Sequence, residues 1–278
     1  MEIEKKRRIL QIILGLCLCG IVISIVGIAV TSAGYAKSKR EYANLKSYVT
    51  ISEPTSDEVV PTETIPVEEE VEEEEFVSVI NIDFDMDCAA LKAKNPDFVG
   101  WIYYDPLNIS YPVVVDKGND YYENHSFEGE YNPAGAIFMD YLCKTDLTSF
   151  NTIIYGHNMR NDTLFGALNE LIDHPDIIEE HPYFYIFNEN EALMYEIVAA
   201  YYTQKTSQTY DLNLDYTLDD MKDYVNYIDG VALYKNEDFF NSEVTEDTKF
   251  CTMSTCHGFH STSRTVIHGA LVAREPRQ

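Results

Sequence analysis

The pattern of apolar and polar positions changes three times along the chain. From Ile9 to Val30 the side chains are almost all apolar, with none ionisable except Cys17 and Cys19. Twenty-two residues at ~1.5 Å rise span about 33 Å, enough for a hydrocarbon core of roughly 30 Å. Residues 9–30 are therefore expected to be a transmembrane signal anchor, too long for the apolar stretch of a cleaved leader. Lys5-Lys-Arg-Arg8 precedes the span, so residues 1–8 are expected in the cytoplasm and the rest of the chain outside.

A polar stretch follows. Ser47 to Ala90 contains no Lys or Arg, and Glu53 to Glu75 holds eleven acidic residues interrupted by Pro54, Pro61 and Pro66. Such a segment buries too little apolar surface to offset its ordering entropy. Residues 31–80 are expected to be an acidic, disordered, self-repelling stalk.

From residue 81 the pattern becomes short apolar runs separated by turn residues. Val99–Tyr104, Ile109–Val115, Gly135–Met139, Asn151–Tyr155, Tyr183–Phe187, Leu193–Thr203, Thr248–Thr255 and Thr265–Val272 are rich in Tyr, Phe, Val and Ile, as strands prefer. Seven or eight such strands in one domain over 81–278 predict a closed barrel or sandwich. A short helix is predicted over Asp85–Lys94, stopped by Asn95-Pro96. Helical spacing recurs in Thr163–Ile172 and in Leu218–Ile228, the latter with Thr217 as N-cap. The second helix sits in the long connection 204–247, a length that usually carries function.

Charge narrows the class. The chain carries a net charge of −27, and residues 76–278 alone hold 33 acidic and 12 basic side chains. A nucleic-acid partner is not expected. Six cysteines give no disulfide framework: two are in the span, Cys88 and Cys143 allow one bridge, and Cys251 is expected to be a small core residue.

The candidate chemistry lies at the ends of three strands. The run Lys249–Cys256 stops on a thiol, Asn151-Thr-Ile-Ile-Tyr-Gly-His157 stops on an imidazole, and Arg264 opens the last strand. A thiol acts as a nucleophile only as thiolate, so it needs a partner. His157 is the candidate acid/base; Arg264 cannot serve as a base but stabilises developing negative charge. The spacing leaves alternatives open. Six other histidines compete, and Cys256-His257-x-x-His260 has a second, weaker reading as part of a metal cluster, which lacks a fourth ligand at zinc spacing.

Six motifs lie in order along the domain: Asn95-Pro-Asp-Phe-Val-Gly-Trp-Ile102, Ile109-Ser-Tyr-Pro-Val-Val114, Tyr121-Tyr-Glu-Asn-His-Ser-Phe127, Gly135-Ala-Ile-Phe-Met-Asp140, Asn151-Thr-Ile-Ile-Tyr-Gly-His-Asn-Met159 and Thr252-Met-Ser-Thr-Cys256 with Arg264 beyond. By these the domain resembles the class B sortases over nearly all of residues 85–273. Met253 stands where that family usually has Leu, and His257 directly after the cysteine is unusual. The resemblance implies a mainly β protein, a closed eight-stranded sortase-type β-barrel with an N-terminal helix and helical insertions. It implies a cysteine transpeptidase outside a Gram-positive cell, with Cys256 as nucleophile, His157 as acid/base, Arg264 as acyl-oxygen stabiliser and Ser254 near the substrate. The expected partners are secreted proteins with an (N/S/L)PxT-type sorting signal, cleaved after Thr, and an amine of peptidoglycan or lipid II. No cofactor or metal is expected. A pilin-polymerising sortase, or a cysteine peptidase releasing product to water, is the alternative.

Overall fold

The computed structural model describes residues 2–52, 78–159, 161–212, 215–256 and 263–277. The core is a ring of strands. The strands are β1 (Val49–Ser52), β2 (Asp83–Met86), β3 (Phe98–Tyr104), β4 (Ile109–Val115), β5 (Ile137–Met139), β6 (Asn151–His157), β7 (Tyr183–Phe187), β8 (Glu191–Gln204), β9 (Tyr234–Lys235), β10 (Phe250–Cys256) and β11 (Ser263–Pro276). The main sheet runs β11-β10-β6-β5-β4-β3-β7-β8-β9, and β11 also pairs with β8. That last pairing closes eight strands into a barrel and leaves the two-residue β9 as an appendage on β8. Closure removes the free edges that an open sheet would expose.

The barrel wall is apolar and aromatic and is covered on both faces. Trp101, Ile102, Ile153, Ile154, Leu193, Ile197, Met253 and Ile267 are fully buried, and Cys251 joins them as the small core residue expected. Cys88 and Cys143 are both free thiols, so the bridge that their number allowed is not made.

The predicted strands recur with their ends moved by a few residues. The helices differ more. The helix expected over Asp85–Lys94 begins only at Cys88, as α2 (Cys88–Lys94), because Asp87 caps it by accepting the Ala90 N–H. Asp85 and Met86 belong to β2 instead, paired with Thr50 and Val49. In Thr163–Ile172, Leu164 takes a positive φ of 55°, which no continuing helix allows. Helical structure starts at Gly166 as a 3-10 turn to Asn169, followed by α3 (Glu170–Asp173) and α4 (Asp176–Glu180). The insert carries α5 (Leu218–Val231), closed at its start by a reciprocal Thr217–Asp220 capping box, and the short α6 (Glu237–Phe240).

The largest departure is at the N-terminus. Helix α1 runs unbroken from Glu2 to Leu45, and its first part, Ile3–Gly27, is long and apolar enough to cross a membrane. Its last three turns pack on the barrel. Tyr42 and Leu45 are buried, Tyr42 meets Tyr111 edge-on at 5.1 Å, and its hydroxyl donates to the Gly135 carbonyl at 3.3 Å. Ser38 bonds Asn132, and the Glu41 carboxylate accepts the Glu128 N–H at 2.9 Å. Residues 31–52 are therefore not stalk. The spacing of Tyr35, Ser38, Tyr42 and Leu45 places one helix face on the domain, while Lys37, Lys39 and Arg40 give the same stretch a solvated look in sequence. Ser52 and Asp83 are β-sheet partners. The acidic segment thus leaves the domain and re-enters it at one place, rather than standing between the apolar helix and the barrel. Residues 53–77 themselves lie outside the described set.

Candidate active site

The strand order brings the three predicted groups to one end of the barrel. β6 and β10 are parallel neighbours, in a register that pairs Asn151 with Phe250 and runs to His157 beside Cys256. β11 lies antiparallel on the other side of β10. Two residues about a hundred apart in sequence thus become adjacent because both end parallel strands.

Arg264 reaches across. Its Nη1 donates to the Thr255 carbonyl at 2.9 Å, and the guanidinium sits over the Tyr210 ring at 5.8 Å. This combination of one backbone acceptor and one aromatic face holds the fork in a fixed plane. Tyr210 comes from the connection after β8, and its hydroxyl shares a 2.7 Å hydrogen bond with Ser254 Oγ. Ser254 itself is fully buried. It adjoins the site through Tyr210, one step removed from where the sequence pointed.

His157 is held from behind. Its Nε2 lies 2.7 Å from the Glu123 carbonyl oxygen. A carbonyl only accepts, so Nε2 carries the proton, and Nδ1 keeps the lone pair of the neutral ring. Burial pushes the His157 pKa below its ordinary value; the Glu123 carbonyl and charge act upward, and the Arg264 charge downward. The neutral form therefore dominates at neutral pH. Two glycines permit this arrangement. A Cβ on Gly156 would overlap Ile137 and the Phe165 ring, and one on Gly135, whose φ is +61°, would come within 2.8 Å of the Glu123 oxygen. Gly135 lets the 121–124 turn approach, and that turn delivers the carbonyl to the histidine.

A cleft of about 220 Å³ opens here, lined by Asn119, Glu123, Phe138, Tyr155, Lys205, Tyr210 and Arg264. Its polar wall is organised by Asp140, which is buried and accepts from Tyr155 Oη at 3.0 Å and Asn119 Nδ2 at 2.7 Å. A larger cavity of about 290 Å³, between Cys143, Asn151, Met221 and Lys249, contains none of the predicted groups.

Beneath the site, β10 is tied to the insert by a buried polar chain. Thr252 Oγ1 donates to Asn151 Oδ1 at 2.6 Å, and Asn151 Nδ2 donates to Tyr224 Oη of α5 at 2.8 Å. His268 Nδ1 is 2.7 Å from Thr252 Oγ1, and its Nε2 is 2.9 Å from Tyr201 Oη. Thr252 has spent its proton on Asn151, so His268 donates from Nδ1 and accepts at Nε2, as a neutral ring. Full burial lowers its pKa to about 3.

Sequence reasoning missed Tyr210, Glu123, Asn119 and Asp140. Asp140 and Glu123 stood inside two of the motifs noted above, but nothing in their spacing gave them roles. The pair His257 and His260 lies outside the described residues. Among the described residues no group of three or more His, Cys, Asp or Glu side chains is arranged to hold a metal.

A closed eight-stranded barrel with a cysteine, a histidine and an arginine at adjoining strand ends defines a sortase. Residues 102–272 match the sortase domain family. Sortase B of Listeria monocytogenes is 33% identical over 187 residues, covering 66% of this chain and 73% of the relative, and sortase B of Staphylococcus aureus is 30% identical over the same extent. A crystal structure of sortase B from Bacillus anthracis superposes with a TM-score of 0.64 at 26% identity, covering 86% of this chain and 98% of the other. A Staphylococcus aureus sortase B–substrate complex gives 0.60 at 26%, over 66% and 84%. The chain belongs to the sortase family, and its relatives make it a class B sortase, a transpeptidase.

Proposed function

We propose that this sortase is held in the membrane by α1, cleaves a C-terminal sorting signal after a threonine, and passes the acyl group to an amine of the cell wall. The observation that carries this reading is the parallel register of β6 and β10, with Arg264 bound to the carbonyl just before Cys256.

In the proposed mechanism neutral His157 takes the Cys256 thiol proton at Nδ1, and the resulting thiolate attacks the threonine carbonyl carbon. The oxygen gains negative charge, which Arg264 stabilises in a site already ordered before reaction. Protonated His157 donates to the leaving nitrogen, the C–N bond breaks, and a thioester remains. An amine then attacks the thioester and gives its proton to His157 Nδ1. The C–S bond breaks and the electron pair returns to sulfur. One amide is broken and one is made. The cleft orients both substrates, so the thioester meets an amine rather than water.

Ser254 acts through Tyr210, which forms one cleft wall beside Arg264. The sorting signal is of the (N/S/L)PxT type, and the acceptor is an amine of peptidoglycan or lipid II. The domain faces outward, with its docked helix segment starting at Tyr35, only eight residues beyond Gly27 at the end of the apolar part of α1. At ~1.5 Å per residue that is roughly 12 Å of helix, so the site works close to the membrane surface. Incubating the enzyme with sorting peptides, with and without an amine, and reading products by mass tests the reading. A transferred product is expected; release to water alone, amine present, overturns it.

A further inference from the structure

Glu123 enters the site twice. Its carbonyl fixes the His157 ring, the residue lines the adjoining cleft, and its side-chain charge lies close enough to act upward on the pKa of that ring. The side chain is exposed, and among the described residues it forms no ion pair. The cations of the cleft come from elsewhere: Lys205 from the turn after β8, Arg264 from β11. The cleft thus carries charges of both signs, and the Glu123 charge, like that of Arg264, is felt at the acid/base.

Amine transfer makes use of that polarity. An alkyl amine in water is mostly ammonium, since such groups titrate near ~10. It must reach His157 Nδ1, the atom left free by the Glu123 carbonyl. We propose that the Glu123 carboxylate selects the acceptor, holding the ammonium form of a basic amine beside His157 before it reacts. This rests on the transpeptidase reading given above. The ammonium loses one proton to solvent. The amine nitrogen then bonds to the thioester carbon, a second proton passes to His157 Nδ1, and the C–S bond breaks to give thiolate. A neutral nucleophile gains nothing from the carboxylate, so water and weakly basic amines are disfavoured relative to a cationic acceptor. The part exposure of the contact limits its effect to about fivefold.

The test uses the full chain in detergent with a sorting peptide and two acceptors at neutral pH: the side-chain amine of Nα-acetyl-lysine amide, which is cationic, and hydroxylamine, which is not. The readout is the ratio of the two transfer rates, so any change in acylation common to both cancels. Glu123→Gln should lower that ratio about fivefold, Glu123→Asp should restore part of it, and added salt should lower it in the wild type. Loss of the Glu123 charge should also move the His157 limb of the pH profile to lower pH. An unchanged ratio in Glu123→Gln overturns the inference. Acyl loading of Cys256 by the wild type, measured in the same samples, tests the underlying reading separately.

Discussion

Acid should loosen this domain chiefly through His268. In the unfolded chain an imidazole protonates near pH 6.5, whereas the buried ring resists until about pH 3. Between those values the unfolded state binds one more proton, so stability falls as pH falls. At pH 5 the gap is about 1.5 pH units, equivalent to about 2 kcal/mol relative to pH 8. The cause is geometric: Tyr201 donates to Nε2, which has no lone pair left once protonated, and the surrounding groups Thr252, Asn151, Tyr224 and Phe250 carry no charge to compensate. His268→Gln offers a donor and an acceptor of similar reach without a titration. Urea unfolding of the two proteins at pH 8 and pH 5 checks this. The wild type should lose about 2 kcal/mol more than the variant over that interval. Lowered His157 adds slope of the same sign, but to both proteins alike. Equal losses would refute the reasoning.

Other outcomes follow from the same structure. Arg264→Lys should reduce acyl transfer roughly a hundredfold, because a point charge cannot both bond the Thr255 carbonyl and lie over the Tyr210 ring; steady-state kinetics read it. Tyr42→Ala should destabilise the domain by about 3 kcal/mol and expose the Tyr35–Leu45 stretch to protease, since Tyr42 joins α1 to Tyr111 and Gly135.

The strands were legible because their apolar runs are short, aromatic and bounded by turn residues. The parallel pairing of β6 with β10 was not, although it creates the site: no local pattern reports which strand a strand will neighbour. His157, Cys256 and Arg264 could be named because each sits at or next to a strand end. Glu123 and Tyr210 could not, because the first acts through its carbonyl and the second lies in a connection whose path depends on α5. Helix α1 misled for a physical reason. Its docking face is three or four residues wide and is flanked by Lys37, Lys39 and Arg40, so its mean composition resembles linker. Proline-rich acidic sequence beyond it strengthened that impression, yet Val49–Ser52 forms a sheet with Asp83–Met86.

The central claim is that Cys256 carries the acyl group, with His157 and Arg264 beside it. Mass spectrometry of the enzyme quenched in acid during turnover of a sorting peptide tests this most directly. The account predicts an adduct of the peptide's N-terminal portion, ending in threonine, on the tryptic fragment containing Cys256, absent in Cys256→Ala. Amide exchange that persists in Cys256→Ala, or an adduct on another residue, would contradict it.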